Sequence, residues 1–142
     1  MIVKSVVLRC DPQRAFTLLT EKAGLWWPVE RRHTDDAASE IRLEAGGRFF
    51  ERASNGTEVE LGFVRAFEPA RRLLLDWYPG TGPDSPTQVE ITFEAVAAGT
   101  RVTIRHGAGP ISLERFARNA PAYDRSWDVV LAALEVSATT CN

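Results

Sequence analysis

Gln88–His106 reads QVEITFEAVAAGTRVTIRH, two alternating runs hinged at Ala98-Gly99. Successive side chains of a strand point to opposite faces, so Val89, Ile91 and Phe93 share one side. Val102, Ile104 and His106 do the same on the next run, while Arg101, Thr103 and Arg105 take the other face. A period of two around a Gly turn predicts an antiparallel pair with one buried side. That side needs a cover, which the chain's end supplies. Tyr123, Trp127, Val130, Leu131 and Leu134 recur at three- and four-residue steps, one continuous stripe of an amphipathic helix. The spacing predicts this helix over Ala122 to about Ala138, opened by Pro121 after an irregular, partly helical stretch that follows Gly107 to Pro110.

Upstream, strand follows strand. Ile41 to Glu44 turns at Ala45-Gly46-Gly47 into Arg48 to Ala53, and Ser54-Asn55-Gly56 is a hairpin signal leading to Thr57 to Phe67. Glu68-Pro69-Ala70 turns into Arg72 to Tyr78, and a Gly/Pro-rich loop, Pro79 to Pro86, reaches the hairpin above. Connections this short make antiparallel neighbours, hence a long meander. Leu73, Leu75 and Trp77 alternate with Arg72 and Asp76. Thr57 to Phe67 is ambiguous: Val59, Leu61, Phe63 and Phe67 share a face with Arg65, while Glu60, Gly62, Val64 and Ala66 share the other. The second set facing the helix would aim Glu60 inward.

Met1 to Arg9 alternates like a strand, and Asp11-Pro12 is a helix start, Asp11 capping and Pro12 at the first helical position. Ala15, Phe16, Leu18 and Leu19 make a short stripe, with a second helical turn expected over Glu21 to Trp26 and ended by Pro28. Val29 to Ser39 is charged and aperiodic, and reads as a loop or a poorly ordered excursion. The order predicts an α+β domain spanning residues 1–142, a curved antiparallel β-sheet wrapped around a long C-terminal α-helix, with two short helices after the first strand.

Composition narrows the function classes. The chain has 142 residues, 44% hydrophobic and 25% charged, with a net charge of -2. That is an ordinary globular balance with no general pull toward nucleic acid or anionic membrane. The doublets Arg31-Arg32 and Arg71-Arg72 read as solvated or acid-paired surface. No run approaches the ~20 apolar residues of a membrane span and no leader is visible, so a cytoplasmic protein is expected. Cys10 and Cys141 lack ligand-like spacing and read as reduced thiols; a bridge would need the last residues to fold back beside the first strand. No metal pattern, nucleophile elbow or phosphate loop occurs, so no cofactor is expected.

Several motifs then line up along nearly the whole chain: Leu25-Trp26-Trp27-Pro28, Leu43-Glu44, Gly46-Gly47-Arg48-Phe49-Phe50-Glu51, Asn55-Gly56-Thr57-Glu58, Gly62-Phe63-Val64 and Phe67-Glu68-Pro69. Arg72-Leu73 through Trp77, Gly99-Thr100-Arg101-Val102-Thr103, His106-Gly107, and Tyr123 with Trp127 and Leu131 continue the series. With these residues the chain resembles the START-like, or SRPBCC, helix-grip superfamily, in the branch related to activators of the ninety-kilodalton heat-shock chaperone ATPase. The resemblance implies a helix-grip fold with a cavity between sheet and terminal helix, and His33 and His106 match positions where the branch often has histidine. Ser126 stands where relatives usually have glycine, and Glu60-Leu61-Gly62 where many have an aromatic before the glycine, so a relative's ligand does not transfer.

The expected ligand walls are Trp26, Trp27, Leu75, Trp77, Ile91, Phe93, Ile104, Tyr123, Trp127 and Leu131, with Glu60 or His106 orienting a polar end. The same aromatics could instead fill the space. Three functions follow. The first is binding of a small hydrophobic or amphipathic molecule. The second is a co-chaperone-like role toward a heat-shock ATPase, although activators of that kind usually carry a further chaperone-binding domain. The third is a cyclase, dehydratase or hydrolase with His106 as acid/base and Glu60 or Glu44 as its partner. Should Val59, Leu61 and Phe63 face away from the helix, they would form an exposed strip and a homodimer would be the natural consequence.

Overall fold

Short turns bring each strand of the meander back along its predecessor, and the computed structural model, which describes residues 1–138, shows the resulting seven-stranded antiparallel sheet. The strands are β1 (Ile2–Leu8), β2 (Glu40–Leu43), β3 (Arg48–Arg52), β4 (Glu58–Glu68), β5 (Arg72–Trp77), β6 (Thr87–Val96) and β7 (Gly99–Gly107). Their order is β1-β7-β6-β5-β4-β3-β2, so the first strand pairs with the last. Helix α1 (Pro12–Thr20) and two 3-10 turns, Ala23–Leu25 and Val29–Arg31, lie between β1 and β2. Helix α2 (Leu113–Ser137) covers the concave face. This is the helix-grip α+β fold. Cys141 lies outside the described residues.

Local chemistry explains the boundaries. Asp11 accepts from the Arg14 amide at 2.8 Å and Pro12 opens α1. Gly99 closes the β6–β7 hairpin with φ at 144°, where a Cβ would stand 2.0 Å from the Leu8 carbonyl oxygen. Only glycine lets β1 approach so closely.

Two expectations change. Pro121 does not open the terminal helix. Ser112 caps it, accepting from the Arg115 amide at 3.0 Å, and Pro121 lies inside. The early turns add the buried Phe116 to the stripe of Trp127, Val130, Leu131 and Leu134. Burying each such side chain is worth about 1.5–3 kcal/mol.

The second change is in β4, which obeys neither parity. Against β3 the register jumps from Gly62↔Phe49 to Glu60↔Phe50, leaving Leu61 as an extra residue; against β5 it jumps from Val64↔Leu75 to Ala66↔Leu74, leaving Arg65 extra. Each bulge flips the faces. Val59 and Leu61 therefore face the core, then Gly62 and Val64, then Phe67, whose ring meets Phe16 at 5.0 Å. Phe63 alone of the anticipated strip is exposed, with the Arg65 guanidinium over its ring. The expected apolar strip does not form, and with it goes that argument for a dimer.

Candidate ligand cleft beside the C-terminal helix

The space between sheet and helix is filled by stacked rings. Phe49, Trp77 and Trp127 form a column with centroid spacings of 5.1 and 4.9 Å. Ile91, Ile104, Val130, Leu131 and Leu134 close around it, and the residual space is about 10 Å³. That is scarcely room for one water.

His106 sits at the upper end of this packing, fully buried. The Trp127 indole can only donate, and it donates to His106 Nδ1 at 3.0 Å. Nε2 therefore carries the ring proton and donates to Thr87 Oγ1 at 2.7 Å, while Thr87 donates to the Trp77 carbonyl at 3.1 Å. Tyr123 and Phe116 pack on the ring at 4.5 and 5.5 Å. Burial holds the imidazole neutral by pulling its pKa from 6.5 down to about 4. Both ring nitrogens are used, so His106 ties α2 to β6 and β7.

The open space lies at the mouth. A cleft of about 270 Å³ is lined by Trp27, Glu30, Arg31, Arg32, His33, Trp77, Pro79, Ala122, Tyr123, Ser126, Trp127 and Val130. One wall is the segment 29–39, which is ordered by two charged residues. Arg32 Nη1 donates to the Ser39 carbonyl and hydroxyl at 2.7 and 2.8 Å, and Nη2 to the carbonyls of Gly24 and Trp27 at 2.8 and 3.0 Å. Glu51, on the face of β3 that also carries Phe49, is fully buried. Its carboxylate accepts from the amides of His33 and Thr34, each at 2.8 Å, and from the hydroxyls of Thr34 and Ser39. Burial alone would push its pKa up, but these hydrogen bonds outweigh it and hold the carboxyl below its ordinary value.

The family model described as "Activator of Hsp90 ATPase homolog 1-like protein" matches residues 9–137. The chain belongs to this family. CalC from Micromonospora echinospora, described as a self-sacrificing resistance protein, superposes with a TM-score of 0.71 at 25% identity, covering 96% of this chain and 92% of its own. NE0264 from Nitrosomonas europaea gives 0.70 at 15% identity, with 99% and 95% covered. The Aha1 dimer from Colwellia psychrerythraea gives 0.65 at 19%, with 99% and 97% covered. The last two show the shared fold alone. No curated protein is a significant sequence match.

In this family member the anticipated site residues separate into groups. Trp27, Trp77, Tyr123 and Trp127 line the cleft. Trp26, Ile91, Ile104 and Leu131 line the closed interior, and Trp26 donates its indole N–H to the Leu18 carbonyl at 2.9 Å. Leu75 and Phe93 are core packing, the latter against Phe16 at 5.1 Å. Glu60 is exposed opposite Phe50, because the Leu61 bulge turns it to the convex side. There it neighbours Tyr78, whose phenol is pushed up to about 12 by burial and then by Glu60. Glu44 pairs with Arg42 at 3.6 Å. Neither carboxylate forms the anticipated pair with His106.

The sequence reading assigns no place in the cleft to Arg31, Arg32 or Glu51, yet the structure sets both arginines in its wall and Glu51 behind it. Sequence alone reads the doublet as solvated and segment 29–39 as loose, because the anchor of that segment, Glu51, is far along the chain. A signal existed for Glu51: it shares parity with Phe49, a carboxylate on an otherwise apolar face. Among the described residues no group of three or more His, Cys, Asp or Glu converges as a metal site, and no helix is long and apolar enough to cross a membrane.

Proposed function

We propose that this chain binds a small apolar or amphipathic molecule in the cleft between segment 29–39 and helix α2. The observation that carries this is the contrast in space: about 270 Å³ walled by Trp27, Trp77, Tyr123 and Trp127 at the mouth, against about 10 Å³ in the middle. Ligand pockets start at roughly 300 Å³ and are dominated by apolar and aromatic walls with a few polar groups. The cleft suits a molecule of two or three fused rings. Acid/base catalysis by His106 draws no support, since that ring does not line the cleft and its nitrogens hold Trp127 and Thr87.

Three of the four tryptophans lie in the cleft wall, so intrinsic fluorescence reports occupancy. Titration with a panel of lipids, flavonoids and polyketide-like aromatics is expected to give a saturable change with the fused-ring members. No saturable response to any of them would overturn the reading. The family's description supports a second role, stimulation of a heat-shock ATPase. A steady-state ATPase assay with the host chaperone, unaltered by added protein, would remove it.

A further inference from the structure

Arg31 and Arg32 are neighbours in the chain with opposite fates. Arg32 spends both terminal nitrogens on Gly24, Trp27 and Ser39, and its charge lies near Glu51 and Asp36. Arg31 spends none. Its backbone is fixed, the amide donating to the Pro28 carbonyl at 3.0 Å and the carbonyl accepting from the Trp27 indole at 3.3 Å. Its half-buried side chain lines the cleft, and the guanidinium makes no hydrogen bond or ion pair to any described residue. Its Nε is enclosed without a protein acceptor, as are those of Arg32 and Arg42, so the contrast with Arg32 lies in the terminal nitrogens.

A guanidinium is always charged, and its two terminal nitrogens make a fork that fits a carboxylate. Enclosing such a donor beside an aromatic wall is unfavourable unless something accepts from it. Tyr123 and Ser126 also line the cleft, and neither hydroxyl makes a hydrogen bond to a described residue. Ser126 is the position where the resemblance leads one to expect glycine. Glu30 is the one acidic residue lining the cleft, and it is exposed. With the charge of Arg32 set against Glu51 and Asp36, Arg31 is the guanidinium left to face the cleft.

We infer that the ligand of this cleft is a planar aromatic acid, its anionic group held by the Arg31 guanidinium and its rings against Trp27, Trp77, Tyr123 and Trp127. This rests on the cleft being a binding site at all. Glu30 admits a competitor, an aromatic cation held by that carboxylate and the ring faces.

Calorimetric titration at neutral pH and low salt with 2-naphthoate, 2-naphthylmethanol and 2-naphthylmethylammonium separates the cases. A charge-assisted pair predicts that naphthoate binds about tenfold to a hundredfold tighter than the alcohol. Arg31→Met should erase that preference, bringing the acid-to-alcohol ratio of Kd values, each measured on the variant itself, to about one. Arg31→Lys, which keeps the charge without the fork, should retain part of it, and Glu30→Gln should tighten naphthoate about twofold. Equal binding of acid and alcohol, tightest binding of the ammonium, or an undiminished ratio in Arg31→Met would each overturn the inference while leaving the cleft a binding site. Failure of all three probes would overturn both. Thermal melts matching the parent show that the variants are folded.

Discussion

The two ends of Trp127 face different worlds. On one side its indole N–H enters the sealed chain through His106 and Thr87 to the Trp77 carbonyl, where every donor has an acceptor. On the other, its ring borders a cleft where Arg31, Tyr123 and Ser126 hold donors with no acceptor among the described residues. Satisfied polar groups in a dry core fix a structure; unsatisfied ones at an aromatic mouth fit it for a ligand. The same two tryptophans, Trp77 and Trp127, therefore pack the interior and border the cleft at once.

Removing the centre of the sealed side tests this most severely. His106→Ala leaves the Trp127 indole and the Thr87 hydroxyl unpaired beside a new cavity, and urea unfolding should show a loss of about 3–5 kcal/mol. A loss under ~1 kcal/mol would mean that the buried chain does not hold the helix.

Acid should expose the same group. The folded pKa of His106 is about 4 against an ordinary 6.5, so the unfolded chain binds the proton first as pH falls. Stability should thus drop between pH 6.5 and 4, by about 3 kcal/mol at roughly 1.4 kcal/mol per pH unit. His106→Gln should flatten that slope, and an unchanged slope would show that the ring is not the titrating group.

Glu51→Gln sharpens the cleft side. It removes the charge that holds segment 29–39, and stability should fall by about 2 kcal/mol, with faster amide exchange at His33 and Thr34. The parent's Glu51 is depressed below its ordinary 4.5, so its contribution is present above that value and is lost as pH falls below it. The variant should lack this acid-side loss. Amide exchange unchanged from the parent would assign the segment's order to Arg32 alone.

The smallest stability effect should come from Ser126→Phe, which fills the cleft from the helix side and should shift unfolding by about 0.5 kcal/mol. Fluorescence titration should nevertheless lose its saturable response. A variant that still binds would move the site away from the cleft.

Much of this was legible in the chain. Val89, Ile91 and Phe93, with Val102, Ile104 and His106, are buried as their alternation requires. So are Leu73, Leu75 and Trp77, and the stripe Trp127, Val130, Leu131 and Leu134. The site was half legible. The aromatic walls could be named and the parity of Glu51 with Phe49 hinted at its burial, but Arg31 could not be told from Arg32. Which of two adjacent arginines finds acceptors depends on the carbonyls of Gly24 and Trp27 and on Ser39, brought together only by folding.

The sequence by itself determined the hairpins, the inner faces of β5, β6 and β7 and the stripe of α2, because periods of two and three to four are local consequences of backbone geometry. Tertiary structure decided three things. Bulges at Leu61 and Arg65 set the inner face of β4, because register is negotiated between strands. Glu51 ordered segment 29–39, since a buried carboxylate must collect its donors from wherever the chain passes. Ring volumes closed the middle and left the mouth open, because packing is a sum over distant side chains that no single stretch carries.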